Sequence, residues 1–438
     1  MSPGRSRPVG SSVAASKSHG MSIKYADFVD ESYEPTAEDL VCTFRLVPGE
    51  GLTLAEAAGR VASESSNGTW AALDAPERVR ELSAIAFDLA GDADGGEVQV
   101  AYPDALFDPG NMPQILSCIA GNILGMKAVD TIRLLDCEWP ASLATSFLGP
   151  QYGPDVKTEI LDAEGRPPTA TVPKPKVGLN TEEHADVGYE AWMGGVDLLK
   201  DDENLTDQSF NRFDARLKRS LERRDEAQEA TGEAKDYLVN ITDETNVMLE
   251  RVDEVAAQGG GFVMVDVVTA GWSAVQSVRE RCEEQGLAIH AHRAMHAAFD
   301  RLPEHGVSMR VLAQVARIVG VDHIHTGTAG FGKLENEDTV GINAWLASDF
   351  HGVSPVLPVA SGGLHPGIVE PLLDTTGTDV MVQAGGGIHG HPDGTRAGAK
   401  AFRQSIDAYV AGVPVGEYAD DHPELAAALA EWGTESPR

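Results

Sequence analysis

Cysteine is scarce in this chain: 438 residues hold four, Cys42, Cys118, Cys137 and Cys282, none in a CxxC pair. That spacing excludes a zinc ribbon and a disulfide framework, and points to a reducing, cytoplasmic compartment. Positive charge is also short, with 34 Lys and Arg against 68 Asp and Glu and a formal net charge of -34. Such a field repels polyanions, so neither nucleic acid nor an anionic membrane is expected as a partner. Long apolar runs are missing too. Even Gly261–Ala270 carries Asp266, and nothing approaches the ~18 residues a bilayer span needs. Residues 1–20 are rich in Ser, Gly and Pro and have no apolar core, so they read as a disordered tail, with Met21 a candidate start. What is present is enough apolar material, 42% of residues, for two or three domains or one large barrel with an attachment. Acid excess on a chain of globular hydrophobicity is what a surface solvated in concentrated salt requires, which favours a halophilic source over an ordinary acidic cytosolic protein.

The chain divides by texture. Residues 21–150 mix strand and helix signals: strands at Leu40–Val47, Gln99–Tyr102 and Thr131–Glu138, and helices at Thr53–Ser65 and Met112–Ile123. Thr53 and Glu56 have capping-box spacing, and the mixture predicts a ferredoxin-like α+β unit. Residues 151–415 repeat short apolar runs between longer amphipathic stretches. Eight runs read as strands: Ala170–Lys174, Asp197–Lys200, Tyr237–Ile241, Phe262–Val267, Leu287–Ala291, His323–His325, Val356–Ala360 and Val380–Gln383. Helices are expected between them, at Thr181–Met193, Asp207–Glu229, Thr245–Ala257, Ser273–Gln285 and Thr395–Ala411. Eight alternating units predict a (β/α)8 TIM barrel whose site lies at the C-terminal ends of the strands. Residues 416–438 are read as a C-terminal tail.

Polar residues gather where that architecture puts the site. Lys174-Pro175-Lys176 follows the first run, and an extended chain would send both ammonium groups to one side, where like charge depresses a lysine's pKa; a solvated basic turn would look the same. Lys200-Asp201-Asp202-Glu203 follows the second. Its carboxylates suit a hard cation such as Mg2+, and a lysine joins that ligand set only as a CO2 carbamate; an ion-paired lysine in an acidic loop is the plainer reading. Five of thirteen histidines, His290, His292, His296, His323 and His325, lie at the fifth and sixth strand ends beside Arg293. Alternation puts His290 and His292 on one face and His323 and His325 on another, each pair with an inner structural and an outer reactive member. Thr326–Lys333 reads as a glycine-hinged lid delivering Lys333. Ser361-Gly362-Gly363 and Gly385-Gly386-Gly387 each precede a helix, which suits phosphate cradles. With Arg293 and His325 they suggest a ligand bearing more than one phosphate.

Taken in order, KPKVGL at 174–179, GGVDLLKDDEN at 194–204, HAHRAMHA at 290–297, DHIHTGT at 322–328, LPVASGG at 357–363 and QAGGGIHGHPDG at 383–394 resemble the large chain of ribulose-1,5-bisphosphate carboxylase/oxygenase. ESSNGTW at 64–70 and GNILGMK at 121–127 extend the resemblance into the smaller domain. It implies carboxylation of ribulose 1,5-bisphosphate by CO2 to two 3-phosphoglycerate, with O2 competing. Lys200 becomes the carbamylated N6-carboxylysine that ligates Mg2+ with Asp202 and Glu203, its carbamate the enolising base. Lys174 acts as acid and base near C2, assisted by Lys176, and His292 serves hydration. Arg293, His325 and Ser361 hold one end of the substrate. Gly363, Gly385, Gly386, Thr69 and Trp70 hold the other phosphate, Gly362 and Gln383 also bind substrate, Lys333 pairs with Glu64 over the new carboxylate, and Asn122 sits near the metal. Glu64, Thr69, Trp70 and Asn122 come from a neighbouring subunit in this family, which implies an obligate homodimer or a higher assembly of dimers.

Two departures from the plant pattern, a sixth loop one residue longer between His325 and Lys333 and Val172 where plants have Thr, resemble the archaeal form III branch. With the acidic charge they suggest a haloarchaeal member, working without small subunits and fed from nucleotide ribose salvage. Two other readings compete: a related protein that enolises or isomerises another phosphorylated sugar, and a non-catalytic assembly protein on the same fold. The presence of Lys174, Lys176, Lys200, Asp202, Glu203, His292, Lys333 and Glu64 weighs against both.

Overall fold

The computed structural model describes residues 22–436 except 24, 69–72, 75, 93 and 332–337. The tail 1–20, Met21, Thr69, Trp70 and Lys333 lie outside the described residues.

In the N-terminal unit the strand Asp39–Pro48 alternates, burying Leu40, Cys42, Phe44 and Leu46 against helices Leu54–Glu64 and Met112–Ile119. The first helix starts where expected. Thr53 Oγ1 accepts the Glu56 N–H at 3.2 Å while the Glu56 carboxylate accepts the Thr53 N–H at 2.9 Å, which satisfies two otherwise orphaned donors. The second stops short of the predicted Ile123, because Gly121 leaves helical geometry and Asn122–Gly125 turns as a 3-10 segment. The antiparallel sheet runs Val129–Glu138, Asp39–Pro48, Gly95–Pro103, Ile85–Asp92, the order of a ferredoxin-like βαββαβ unit. Ile85–Asp92 escapes a reading for strands: it is an edge, exposed mainly in its second half, where Asp88 and Asp92 lie, and charge there is how edges are kept from pairing with other chains.

Eight parallel strands close the barrel: Thr169–Thr171, Leu198–Lys200, Asp236–Asn240, Phe262–Asp266, Ala288–His292, His323–His325, Leu357–Ser361 and Met381–Ala384. All eight match predicted runs, but the first ends at Thr171, not Lys174. Pro173 and Pro175 lack the N–H a ladder needs, so Lys174 and Lys176 stand in a turn beyond the strand, and strand alternation does not place them. Helices Met309–Val319, Thr339–Ala347 and Val369–Thr376 complete the outer layer after strands five to seven. Residues beyond 415 are not a loose tail. Helix Pro423–Trp432 buries Leu425 and Ala428, and Glu424 accepts from Lys400 Nζ at 2.6 Å on helix Thr395–Ala411. Among the described residues no helix is long and apolar enough to cross a membrane.

Asp322, fully buried below the sixth strand, accepts N–H groups from Tyr152 at 2.6 Å, Gly153 at 2.9 Å and Ile289 at 2.7 Å. It ties the segment entering the barrel to the barrel floor. Asp322→Ala would strand three buried donors at roughly 1–3 kcal/mol each, so a clear fall in the thermal midpoint is expected in calorimetry; an unchanged midpoint would show the floor is held elsewhere.

Candidate active site

Lys200 closes the second barrel strand with a fully buried side chain. Its Nζ donates to the Asp201 carbonyl at 2.8 Å and stands 3.9 Å from Glu203 Oε2. Burial pulls its pKa below that of an ordinary lysine, against the opposing pull of Glu203, Asp266, Asp202 and Asp201. An amine held this way gives up its proton more readily than a surface lysine. Lys174 Nζ lies 3.6 Å from Asp202 Oδ2, whose other oxygen accepts from Asn204 N and Nδ2 at 3.1 and 3.0 Å. Glu203 is half-buried, which alone would raise its pKa, but His292 and Lys200 hold it low. Among the described residues no three His, Cys, Asp or Glu side chains form a ready metal cluster. Two carboxylates, Asp202 and Glu203, share this mouth with the amines of Lys174 and Lys200.

The histidines converge more tightly than alternation suggested. His290 Nε2 and His325 Nε2 are 2.9 Å apart, His290 and His323 meet through Nδ1 at 3.3 Å, and the His292 and His325 rings lie 4.9 Å centre to centre. The two pairs do not occupy separate faces; all four point into one barrel interior, with His290 and His323 below His292 and His325. Burial lowers every one of their pKa values, to about 3 for His323, and His290, His323 and His325, which have no carboxylate partner, are held neutral there.

Around these groups opens a cavity of about 420 Å3, lined by Lys174, Lys176, Asp202, Glu203, His292, Arg293, His325, Ser361, Gly362, Gly363, Gln383, Gly385 and Gly386. Gly362 and Gly363 have φ of 118° and 82°, a region that disfavours side chains. A Cβ on Gly385 would sit 2.9 Å from Lys174 Cε, so a side chain there would push the end of that lysine aside. Gln383 Nε2 donates to Ser361 Oγ at 2.9 Å, joining the two turns, while Gln383 Oε1 is buried without a partner. Fixed cations around open backbone donors make this a site for a small polyanion, held by a protein of net charge -34 only through local potential. Glu64 and Asn122 are brought together, Nδ2 to Oε1 at 3.3 Å, but neither lines the cavity of their own chain.

Two functional neighbours were not singled out by the sequence pattern. Asp266, ending the fourth strand, accepts from His292 Nδ1 at 2.9 Å and so leaves Nε2 facing Glu203 at 3.6 Å; its strand-end position was the available signal. Asn240, ending the third strand, donates its N–H to Asp201 Oδ2 at 3.0 Å. Asp201 itself faces away from the cavity. Its carboxylate meets Arg216 Nε at 3.2 Å, His184 Nε2 at 3.2 Å and the Tyr237 hydroxyl, and although burial opposes it, Arg216 and these donors bring its pKa down to about 2.

With this geometry in place, comparison with known proteins assigns the family. The family model for the ribulose bisphosphate carboxylase large chain, catalytic domain, matches residues 154–432, and that for its N-terminal domain matches 27–143. Ribulose bisphosphate carboxylase of Pyrococcus abyssi is 50% identical over 417 residues, 94% of this chain and 98% of the relative, and that of Archaeoglobus fulgidus 46% over 434 residues, 94% and 98%. Among solved structures, the octameric enzyme of Pyrococcus horikoshii, in complex with sulfate, superposes with a TM-score of 0.91 at 49% identity, covering 94% of this chain and 97% of the other. The dimeric archaeal enzyme of Hyperthermus butylicus gives 0.89 at 43%, covering 94% and 99%. The chain therefore belongs to the ribulose-1,5-bisphosphate carboxylase/oxygenase large-chain family, alongside its archaeal members.

Proposed function

We propose that this chain carboxylates D-ribulose 1,5-bisphosphate with CO2 and water to two 3-phosphoglycerate, O2 being the competing gas, at the barrel mouth described above. One observation carries the reading: Lys174, Lys176, Asp202, Glu203 and His292 line a single cavity that also presents two glycine turns, with the buried Lys200 amine 3.9 Å behind Glu203. The 46–50% identities to archaeal carboxylases over nearly the whole chain support it.

The donor set fits Mg2+ once Lys200 takes up CO2 as N6-carboxylysine. Its buried, pKa-depressed amine suits attack on CO2 with loss of a proton, which exchanges a cation for an anionic oxygen beside Asp202 and Glu203 and completes a hard-oxygen set. When bound there, Mg2+ supplies a Lewis acid that polarises substrate oxygens. The protein does the remainder. Lys174 moves protons at C2 with Lys176 beside it, and His292, its tautomer fixed by Asp266, moves a proton at hydration. Arg293, His325 and Ser361 bind one phosphate; Gly362, Gly363, Gln383, Gly385 and Gly386 receive the rest of the bisphosphate. Thr69, Trp70 and Lys333 belong to the same reading, though they lie outside the described residues.

Glu64 and Asn122, absent from their own chain's cavity, are proposed to complete a neighbour's site, so the smallest active unit is a homodimer without a small subunit. Labelled 3-phosphoglycerate is expected from the bisphosphate and labelled bicarbonate with Mg2+, and none from Lys200→Ala or Glu64→Gln alone. Mixed under subunit exchange, the two variants should recover part of the activity, because some interfaces pair two intact halves; verified hybrids without recovery would place the whole site in one chain. Asp266→Asn, which disturbs the His292 tautomer, is expected to lower kcat by roughly 10–100-fold with little effect on the melting temperature, and normal turnover in that variant would remove His292 from the proton path.

The acidic surface supports a haloarchaeal source. The Debye length shrinks from about 30 Å at 0.01 M salt to about 3 Å at 1 M, so carboxylate repulsion opposing compaction and assembly is quenched by KCl. Melting temperature and particle mass should rise with KCl, while apparent affinity for the bisphosphate falls or stays flat. A melting temperature and mass indifferent to KCl from dilute buffer to molar salt would remove the halophile reading and leave the carboxylase reading standing.

A further inference from the structure

The C-terminal helix Pro423–Trp432 stands behind both glycine turns of the cavity. His365 follows the Ser361–Gly363 turn by two residues, and His391 follows Gly385–Gly387 by four. Both imidazoles are buried, and both are tethered to this one helix. His391 Nε2 donates to the Glu424 carbonyl at 2.9 Å in its first turn, and His365 Nε2 donates to the Glu435 carbonyl at 3.0 Å just past its end. The Trp432 indole lies between them, ring centres 5.9 Å from His365 and 6.3 Å from His391. The turns also press on each other: a Cβ on Gly387 would fall 2.1 Å from the Leu364 carbonyl oxygen. Such contacts fix backbone, and a cradle of backbone N–H groups binds an anion in proportion to how little it must rearrange.

We infer that Trp432 is a positioning residue: with His365 and His391 it holds the Ser361–Gly363 and Gly385–Gly387 turns at the spacing that receives the substrate's phosphates. The inference rests on the reading of those turns as phosphate cradles. Trp432 touches no substrate, and its effect passes through backbone placement. Losing it should weaken binding of the bisphosphate while leaving the reacting atoms, on other strand ends, as they were.

The test uses the full-length, CO2- and Mg2+-activated oligomer. Trp432→Ala is expected to raise KM for ribulose 1,5-bisphosphate about tenfold while kcat changes less than about threefold, with the inhibition constant for inorganic phosphate rising in parallel, and Trp432→Phe should restore most of the loss. A chain ending at Gly433, which removes the carbonyl that holds His365 but keeps the helix, should raise KM severalfold, and decides the matter if Trp432→Ala does not fold. Ser361→Ala serves as the cradle control. If Ser361→Ala raises KM and neither C-terminal variant does, the positioning role is wrong; if Ser361→Ala leaves KM unchanged, the cradle reading fails and this inference with it. Equal losses in kcat and KM that track a fall in melting temperature would reduce Trp432 to a packing residue and overturn the proposal.

Discussion

Between Lys200 and Asp202, Asp201 turns its carboxylate the other way, into the layer between barrel and helices, where Arg216, Tyr237 and His184 receive it. Arg216 is itself fully buried on helix Phe213–Thr231, and its guanidinium also donates to the carbonyls of Thr206 and Asn211 at 2.7 and 2.8 Å. One cation thus stitches the loop that carries Asp202 and Glu203 to the helix outside it. A buried pair of this kind is weak evidence for stability in itself, but loss of either partner leaves an uncompensated charge at about 3–5 kcal/mol. The alternation that sends Asp201 outward sends Lys200 inward. The reactive amine and its anchor are therefore two consequences of one strand register.

Charge at the mouth is balanced locally and not by the surface. Lys174, Lys176, Lys200 and Arg293 gather with Asp202, Glu203 and Asp266, while His290, His323 and His325 beneath are driven neutral by burial. A neutral floor lets the lysines' potential act on the ligand instead of being spent on neighbouring imidazolium groups. The same floor explains why His292 alone among the four has a carboxylate partner, since it is the one that faces both Asp266 and Glu203.

The barrel was readable because its strands are short apolar runs whose ends carry the polar chemistry, and every one of the eight runs became a strand. Boundaries failed where composition and hydrogen bonding disagreed. The stretch after Thr171 reads as a continuing strand to Lys174, yet Pro173 within it and Pro175 just beyond deny it a ladder. The C-terminal helix carries its own signal in the sequence: Pro423 at its first position, Leu425, Ala428 and Leu429 at helical spacing, and Gly433 just beyond. The triple Asp201-Asp202-Glu203 shows three equivalent carboxylates in one dimension. Only register tells which one leaves the site, and register belongs to the sheet, not to the segment.

The short strand Gly306–Val307 lies within the barrel half of the chain but pairs in parallel with Arg133 and Leu134 at the edge of the N-terminal sheet. Arg133 Nη1 donates to the Asp300 carbonyl at 2.9 Å, and Ser308 Oγ to that of Leu135 at 2.6 Å. This crossing strand lies 13 residues after Arg293, so the connection that leaves His292 and carries Arg293 also supplies the fifth strand of the other domain's sheet. The two halves are consequently poor modules for exchange. A barrel grafted onto a foreign N-terminal domain would inherit a strand with no ladder to join, and its histidine loop would lose its footing even if every catalytic side chain were kept.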